Sequence, residues 1–518
     1  MAGQRGFLEP VGELSDSAYT IEETFGTSPT NPLVLTAGPA GNHLEIGGYE
    51  FGVAAMSGVQ TVDMGDGPVT APARAHAGYL PSSAPLGVGG VCSSSANSDA
   101  AMASSVGAMM GQVAGLSARE LQGVRGRLEA FAGQMLEPLG RKDQRRWGEV
   151  YLRGLMLDGK RKSIEPMAAR LEDGDEQCLQ QFVNQSPWSA EAVRERLAVR
   201  MSAEIAPAAW VIDDTGFPKF GRMSVGVARQ YCGALGKVGN CQVGVSISAV
   251  TAQASCPIDW RLYLPAEWDE DPRRAACRVP DAARHQPKWR LALQMIDELV
   301  AWGIEPVPVL GDGAYGDISE LRLGLEARQV DYVLEVKGAT SALPEGARPT
   351  QPARSPGPGR PPAPRYRGPF GSLAELALAA GPGAYVEVRW REGTRGPMAS
   401  RFVALRVRPA NITLRRAAAG GELPVCWLLA EWPEGKDAPS GFWLSNLAPD
   451  TPIERLVELA KLRWRVEQDY RELKDALGLD HFEGRSWPGW QHHVTLVSVA
   501  HGFLTTERLR RPQARAAA

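Results

Sequence analysis

Between Ala208 and Gly338 the chain alternates its elements in an order that restricts it to a layered α/β fold. AAWVIDDTG (208–216) reads as a buried strand ending in acidic residues, and NCQVGVSISAVT (240–251) and IDWRLYLP (258–265) as two more strands rich in β-branched and aromatic residues. KWRLALQMIDELVAWG (288–303) spaces its apolar residues as an amphipathic helix. A short strand in VPVLGDGAYG (307–316), a helix in SELRLGLEARQ (319–329) and a fifth strand in DYVLEVKG (331–338) follow. Three strands, helix, strand, helix, strand is the signature of an α/β layered domain.

The flanks differ in texture. Residues 1–112 are rich in Gly, Ala, Ser, Pro and Thr without a sustained period, and carry two basic against ten acidic residues; this acidic arm is expected to be mostly disordered. Residues 113–205 space apolar residues at three and four in about five helices, the last introduced by Ser189 as N-cap. Basic clusters at Arg141, Lys142, Arg145, Arg146 and at Lys160, Arg161, Lys162 suit either a solvated helical bundle or a DNA-docking one. Residues 206–340 form the first part of the α/β core. Nine prolines and five arginines within 344–369 make a semi-extended linker. Four strands then read as a meander (AYVEVRWRE, SRFVALRVRP, VCWLLAEWP, FWLSNLAP), so that 341–445 is a β-rich insertion. A helix in PIERLVELAKLRWRVEQDYRELKDALG (452–478) completes the core within 446–510, and 511–518 is expected to be a disordered tail.

Charge and composition exclude several functions. Net charge is −3, but the acidic arm hides a basic remainder. No apolar run of membrane-spanning length and no signal pattern is present, and the seven cysteines show no C-x-x-C, which points to a cytoplasmic protein without a zinc site. The phosphate-loop pattern of nucleotide binders is absent, so no nucleotide cofactor is expected.

The chemistry concentrates in carboxylates. Asp213 and Asp214 end the first strand and Asp312 ends the fourth, where open α/β sheets build their sites. Adjacent strand residues point to opposite faces, so only one of Asp213 and Asp214 turns toward a shared crevice. By analogy of strand order with ribonuclease-H-like cores, the first and fourth strands are neighbours. On the late helix Arg463, Glu467, Tyr470, Arg471 and Lys474 fall within an arc of about 100°, with Trp464, Val466 and Leu473 opposite. Carboxylates on strand ends and a helix suit Mg²⁺ or Mn²⁺, with Arg463 and Lys474 holding phosphates. Lys219 and Lys237, after the first strand, read as solvated lysines before they read as further phosphate contacts. Trp390, Trp427, Trp432 and Trp443 read as core of the insertion before they read as a base-stacking platform. His481, His492, His493 and His501 read as a packed helix before a metal site.

LRWRVEQDYRELKDALGLDHFEGRSW (462–487) resembles the third conserved block of bacterial insertion-sequence DDE transposases, in the branch with a Tyr-x2-Arg-x3-Glu-x6-Lys signature. Arg463, Glu467 and Lys474 match that spacing, whereas Ala460 stands at the Tyr position. VIDDTGFPK resembles the first block, where the aspartate before Thr is the ligand, which favours Asp214; VLGDGAYG resembles the second, with Asp312 as ligand. The resemblance covers roughly 116–510. It implies a ribonuclease-H-like core interrupted by the β-rich insertion and preceded by the helical bundle. It further implies two Mg²⁺ (Mn²⁺ as substitute) on Asp214, Asp312 and Glu467, and DNA contacts from Arg463, Tyr470, Arg471 and Lys474. The expected activity is cleavage and strand transfer of double-stranded element ends by a homodimer, associated with the bacterial nucleoid. Two rivals are a repurposed copy that binds DNA without cutting, and a two-carboxylate glycosidase, which the cations around Glu467 disfavour.

Overall fold

The computed structural model describes residues 118–352, 363–393, 396–419 and 421–516, together with the backbone of seven short strands between Tyr19 and Tyr79. Residues Met1–Asn97 form one unit and Ser98–Ala518 another. In the first, the arm expected to be disordered carries five strands in one antiparallel sheet and two in a hairpin. Short runs such as LVLTAG and GNHLEI, joined across Gly38 and Gly41, supply the hairpin pattern that a search for long periods passes over. The rest of the arm and the end of the tail, 517–518, lie outside the described residues.

The second unit is a mixed α/β structure. Helices α1 (Ala118–Met135), α2 (Lys142–Met156), α3 (Ile164–Ala168), α4 (Glu176–Asn184) and α5 (Ala190–Ile205) come first. Ser189 caps α5 as expected, its hydroxyl accepting from the Ala192 amide at 3.2 Å, and Asp175 caps α4. Twelve strands then share one sheet: β1 (Ala209–Pro218), β2 (Ala228–Cys232), β3 (Lys237–Val250), β4 (Ser255–Leu262), β5 (Val309–Gly311), β6 (Tyr332–Glu335), β7 (Ser341–Pro344), β8 (Gly371–Ser372), β9 (Val386–Gly393), β10 (Gly396–Pro409), β11 (Cys426–Trp432) and β12 (Gly441–Ser445). Their order is β4-β3-β1-β5-β6-β12-β11-β10-β7-β8, with β2 on β3 and β9 on β10. Among the described residues, β1–β5 and β5–β6 are the parallel pairs of this sheet. The strands of the insertion join the same sheet, with β12 adding to β6.

Helix α6 (Arg273–Ala276) is a single turn; α7 (Lys288–Ala301) buries Leu291, Met295, Ile296 and Leu299 against the sheet face that carries Trp210, Ile212 and Leu334. The short α8 (Gly313–Gly316) and then α9 (Ser319–Ala327) return the chain to β6; α10 (Leu373–Ala379) and α11 (Ile412–Ala417) lie in the insertion. The late helix breaks in two at Arg463, into α12 (Ile453–Leu462) and α13 (Trp464–Asp475). Leu456, Val457 and Leu459 of α12 pack on Val211, Leu310 and Val333, the opposite sheet face. Helix α14 (Trp487–Ala516) runs past α2, α4 and α5. There His492 packs flat on Trp188 with ring centroids 3.8 Å apart, and His493 Nδ1 lies 2.8 Å from the Tyr151 hydroxyl.

Candidate active site

Three carboxylates align on one sheet face because of strand register. Val211 pairs with Leu310 and Leu310 with Val333, so two residues further along each strand Asp213, Asp312 and Glu335 stand in a row on the face that α12 covers. Asp214 points the other way, where Lys288 at the start of α7 donates to its Oδ2 at 3.0 Å and the Tyr315 hydroxyl does so at 3.3 Å. The expected ligand was Asp214; the structure turns Asp213 instead toward Asp312 and Glu467.

The break at Arg463 explains how the helix reaches this row. From the corner between α12 and α13 the guanidinium donates to Asp213 Oδ2 at 2.9 Å and to Glu467 Oε1 at 2.8 Å, so one cation bridges a strand carboxylate and a helix carboxylate. Burial alone would lower its pKa, but Asp213, Glu467, Asp312 and Glu335 together raise it. Asp213 is pushed up to about 7, chiefly by burial and further by the charges of Asp312 and Asp214, against the pull of Arg463. Glu335 is raised for the same reasons, burial first. Asp312 accepts from the Ala314 and Tyr315 amides at 3.0 and 3.3 Å, which fixes its side chain at the start of α8. Gly316 lets that turn lie on β6: a Cβ there would sit 1.8 Å from the Glu335 carbonyl oxygen.

The other residues singled out in the sequence divide. Lys474 Nζ donates to the Gly216 carbonyl at 2.9 Å, tying α13 to β1 beyond the carboxylates. Arg471 is exposed. Tyr470 is half-buried, its hydroxyl 2.7 Å from Ser246 Oγ and its ring centroid 6.1 Å from that of Trp260, so it serves as a wall of the site. Val466 and Leu473 are buried as expected, whereas Trp464 is half-exposed beneath the Arg391 guanidinium. Trp390 and Trp443 of the insertion pack around Lys461, whose Nζ lies 5.1 and 4.9 Å from their rings. Glu335 was missed in the sequence; its signal was the register of β6 on β5.

Among the described residues no group of three or more His, Cys, Asp and Glu is drawn together closely enough to hold a metal. The donor chemistry nevertheless fits a hard divalent cation: every candidate atom is a carboxylate oxygen, and Arg463 already occupies the cationic position between two of them. His492 and His493 do not compete for this role, since they spend their ring nitrogens on the Val183, Trp188, Gly478 and Leu479 carbonyls and on Tyr151. A cavity of about 820 Å³ near Trp188, Arg261 and Trp487 includes none of the site residues.

Residues 134–397 match the family model described as DDE superfamily endonuclease, a span that includes Asp213, Asp214, Asp312 and Glu335 but ends before Glu467. Over 188 residues the chain is 27% identical to the "Probable transposase for insertion sequence element IS701" of Microchaete diplosiphon, which covers 36% of this chain and 47% of that relative. The solved piggyBac transposase synaptic complex with hairpin DNA is similar at 11% identity and a TM-score of 0.30, over 72% of this chain and 73% of that one.

Proposed function

The chain belongs to the DDE superfamily endonucleases, and from that premise we propose that it is a DNA transposase, cutting the ends of its insertion sequence and joining them to target DNA. The observation that carries this reading is the row of Asp213 and Asp312 on adjacent parallel strands, with Glu467 linked to Asp213 through Arg463. The order β4-β3-β1-β5-β6 supports a ribonuclease-H-like core. Asp213, rather than the expected Asp214, would join Asp312 and Glu467 in holding two Mg²⁺ or Mn²⁺, and Glu335 stands beside them. When bound, such ions supply activation of a water or a 3′-hydroxyl and stabilisation of the leaving oxygen at phosphorus.

The chain's own residues would do the rest. Arg463, which links Glu467 to Asp213, would offer bidentate donors to a phosphate. Lys474 and Arg471 would receive the flanking phosphates as charged donors, while Tyr470 holds the wall against Ser246. Asp214, within β1 and not at its end as the sequence suggested, would be a positioning residue held by Lys288 and Tyr315. The helices of 113–205 would grip the terminal repeats, and cutting both ends together calls for a homodimer on double-stranded DNA, with steep salt dependence. No helix among the described residues is long and apolar enough to cross a membrane, and a cytoplasmic, nucleoid-bound protein is the corresponding proposal for location.

The test is excision in cells. The gene's flanking DNA brackets a reporter, and the wild type is compared with Asp312→Asn and Glu467→Gln. Excision by the wild type and its loss in both variants is the expected result. Excision untouched by either change would remove the assignment, and retained binding to the flanks without any excision would mark a DNA-binding copy that does not cut.

A further inference from the structure

The late helix reaches the carboxylates through a corner that its own backbone does not lock. Arg463, at the break, keeps helical angles (φ −56°, ψ −28°), and its neighbours Leu462 and Trp464 are neither Gly nor Pro. Leu456, Val457, Leu459 and Leu462 bury α12 against the sheet, but apolar contact is non-directional and tolerates sliding. A directional grip comes two residues before the corner. Lys461 reaches from the last turn of α12 into the insertion, where its Nζ donates to Glu431 Oε2 at 2.6 Å. The same Nζ lies 4.9 Å from the ring of Trp443, 5.1 Å from that of Trp390 and 5.5 Å from that of Phe402. These four partners come one from each of the consecutive strands β9 to β12, and register explains why they meet. Phe402 pairs with Glu431, and Trp443 is two residues along β12 from Gly441, the other partner of Glu431, so all three side chains rise from the sheet face that α12 covers. Trp390 stands where the register of β9 on β10 slips by one residue between Arg389 and Arg391, an irregularity of the kind that re-aims a side chain.

The ammonium and its carboxylate are only 20% and 14% exposed, so their bond is poorly screened, and the three rings attract the same charge from other sides. Lys461 lies outside the signature that Arg463, Glu467 and Lys474 match, and its charge is spent inside this cage. We propose that Lys461 is a positioning residue for cleavage: the insertion holds its ammonium, which fixes the corner at Arg463 and with it the approach of Glu467 to Asp213 and Asp312. This rests on the transposase reading and deepens it, giving the insertion a part in assembling the site. The corner follows Lys461 by two residues and Glu467 follows the corner by four, so a shift of the last turn of α12 passes directly to the carboxylate. A misplacement of about 1 Å at a reacting group is enough to cost about a hundredfold in rate.

The experiment uses the full chain and duplex DNA from the gene's flanks with Mg²⁺, in single-turnover cleavage that reads the rate at saturating protein and the DNA Kd separately. Lys461→Met, which keeps the apolar stem and removes the ammonium, is expected to lose about 30- to 100-fold in rate with Kd within about twofold. Lys461→Arg, which can meet Glu431 and the same rings, should recover the rate to within about fivefold of the wild type. Glu431→Met should slow cleavage in the same sense, and adding it to Lys461→Met should cost no more than about twofold further, since both changes open one contact. Melts establish that each variant is folded. A lower melting temperature with the rate of the folded protein unchanged would mark a merely structural contact and overturn the proposal, leaving the transposase reading in place. A loss confined to Kd would overturn it as well, by making Lys461 a DNA contact. Should Lys461→Met fail to fold, Glu431→Met decides on the same two readouts. Wild-type protein that cuts no flanking DNA would overturn both the proposal and the reading beneath it.

Discussion

At the scale of single residues the site is a balance of like charges around one guanidinium. Asp213 and Arg463 are both largely buried, with side-chain exposures of 13% and 25%. Removing one partner of such a pair costs more than the pair contributes, because the remaining charge has no solvent to turn to. Arg463→Met should lower the melting temperature by a few degrees, about 2 kcal/mol, in metal-free buffer. Mg²⁺ or Mn²⁺ should restore much of that loss by replacing the missing cation. Thermal melts with and without the ion check this, and a variant indifferent to both changes would show that Arg463 does not neutralise the row. Which aspartate faces this cation was not legible in the sequence. AWVI before the pair is buried on both faces, so it shows no alternation from which to count the phase. Glu335 stayed hidden for a related reason: its place depends on a register between strands far apart in sequence.

At the scale of elements, periodicity located nearly every helix and strand of the core, because long amphipathic segments and β-branched runs declare themselves locally. The break at Arg463 was not foreseeable, since no Gly or Pro marks it. Helix α14 is held to the preceding helices by neutral histidines. His493 accepts from the Tyr151 hydroxyl and faces the Gly478 and Leu479 carbonyls, and burial pushes its pKa down to about 4. Its unfolded value is about 6.5, so the unfolded chain takes up the proton first as pH falls. Stability from this group is intact above pH 6.5 and declines between 6.5 and 4, by about 3 kcal/mol at most. Asp213, Glu335 and Asp469, raised by burial, work in the opposite direction. The difference between wild type and His493→Gln isolates the histidine: the variant's melting temperature should fall less steeply from pH 6.5 to 4.5. Parallel pH profiles would contradict the assignment.

At the scale of the second unit, one sheet joins the strands that carry Asp213, Asp312 and Glu335 to the insertion, and α12 packs on one of its faces. The sequence reads 341–445 as a β-rich insertion that interrupts the core after a proline-rich linker, and the pairing of β12 on β6 shows where that insertion joins the sheet. The lack of sustained hydrophobic patterning in residues 1–112 gives that arm little apolar surface to add to the core described from 118 onward. Deletion of residues 1–112 should therefore leave the melting temperature within about two degrees and DNA cleavage within about twofold, read by calorimetry and by cutting of flanking DNA. A large loss in either would give the arm a structural role.

The most direct measurement compares Asp213→Asn with Asp214→Asn in cleavage of flanking DNA by purified protein with Mg²⁺, after melts show both folded. Loss of a carboxylate that holds a catalytic cation should cost several kcal/mol, about a thousandfold in rate. Asp213→Asn is expected to show that loss and Asp214→Asn to stay within about tenfold of the wild type. The reverse order would contradict the central claim that the face shared by Asp213, Asp312 and Glu467 is where DNA is cut.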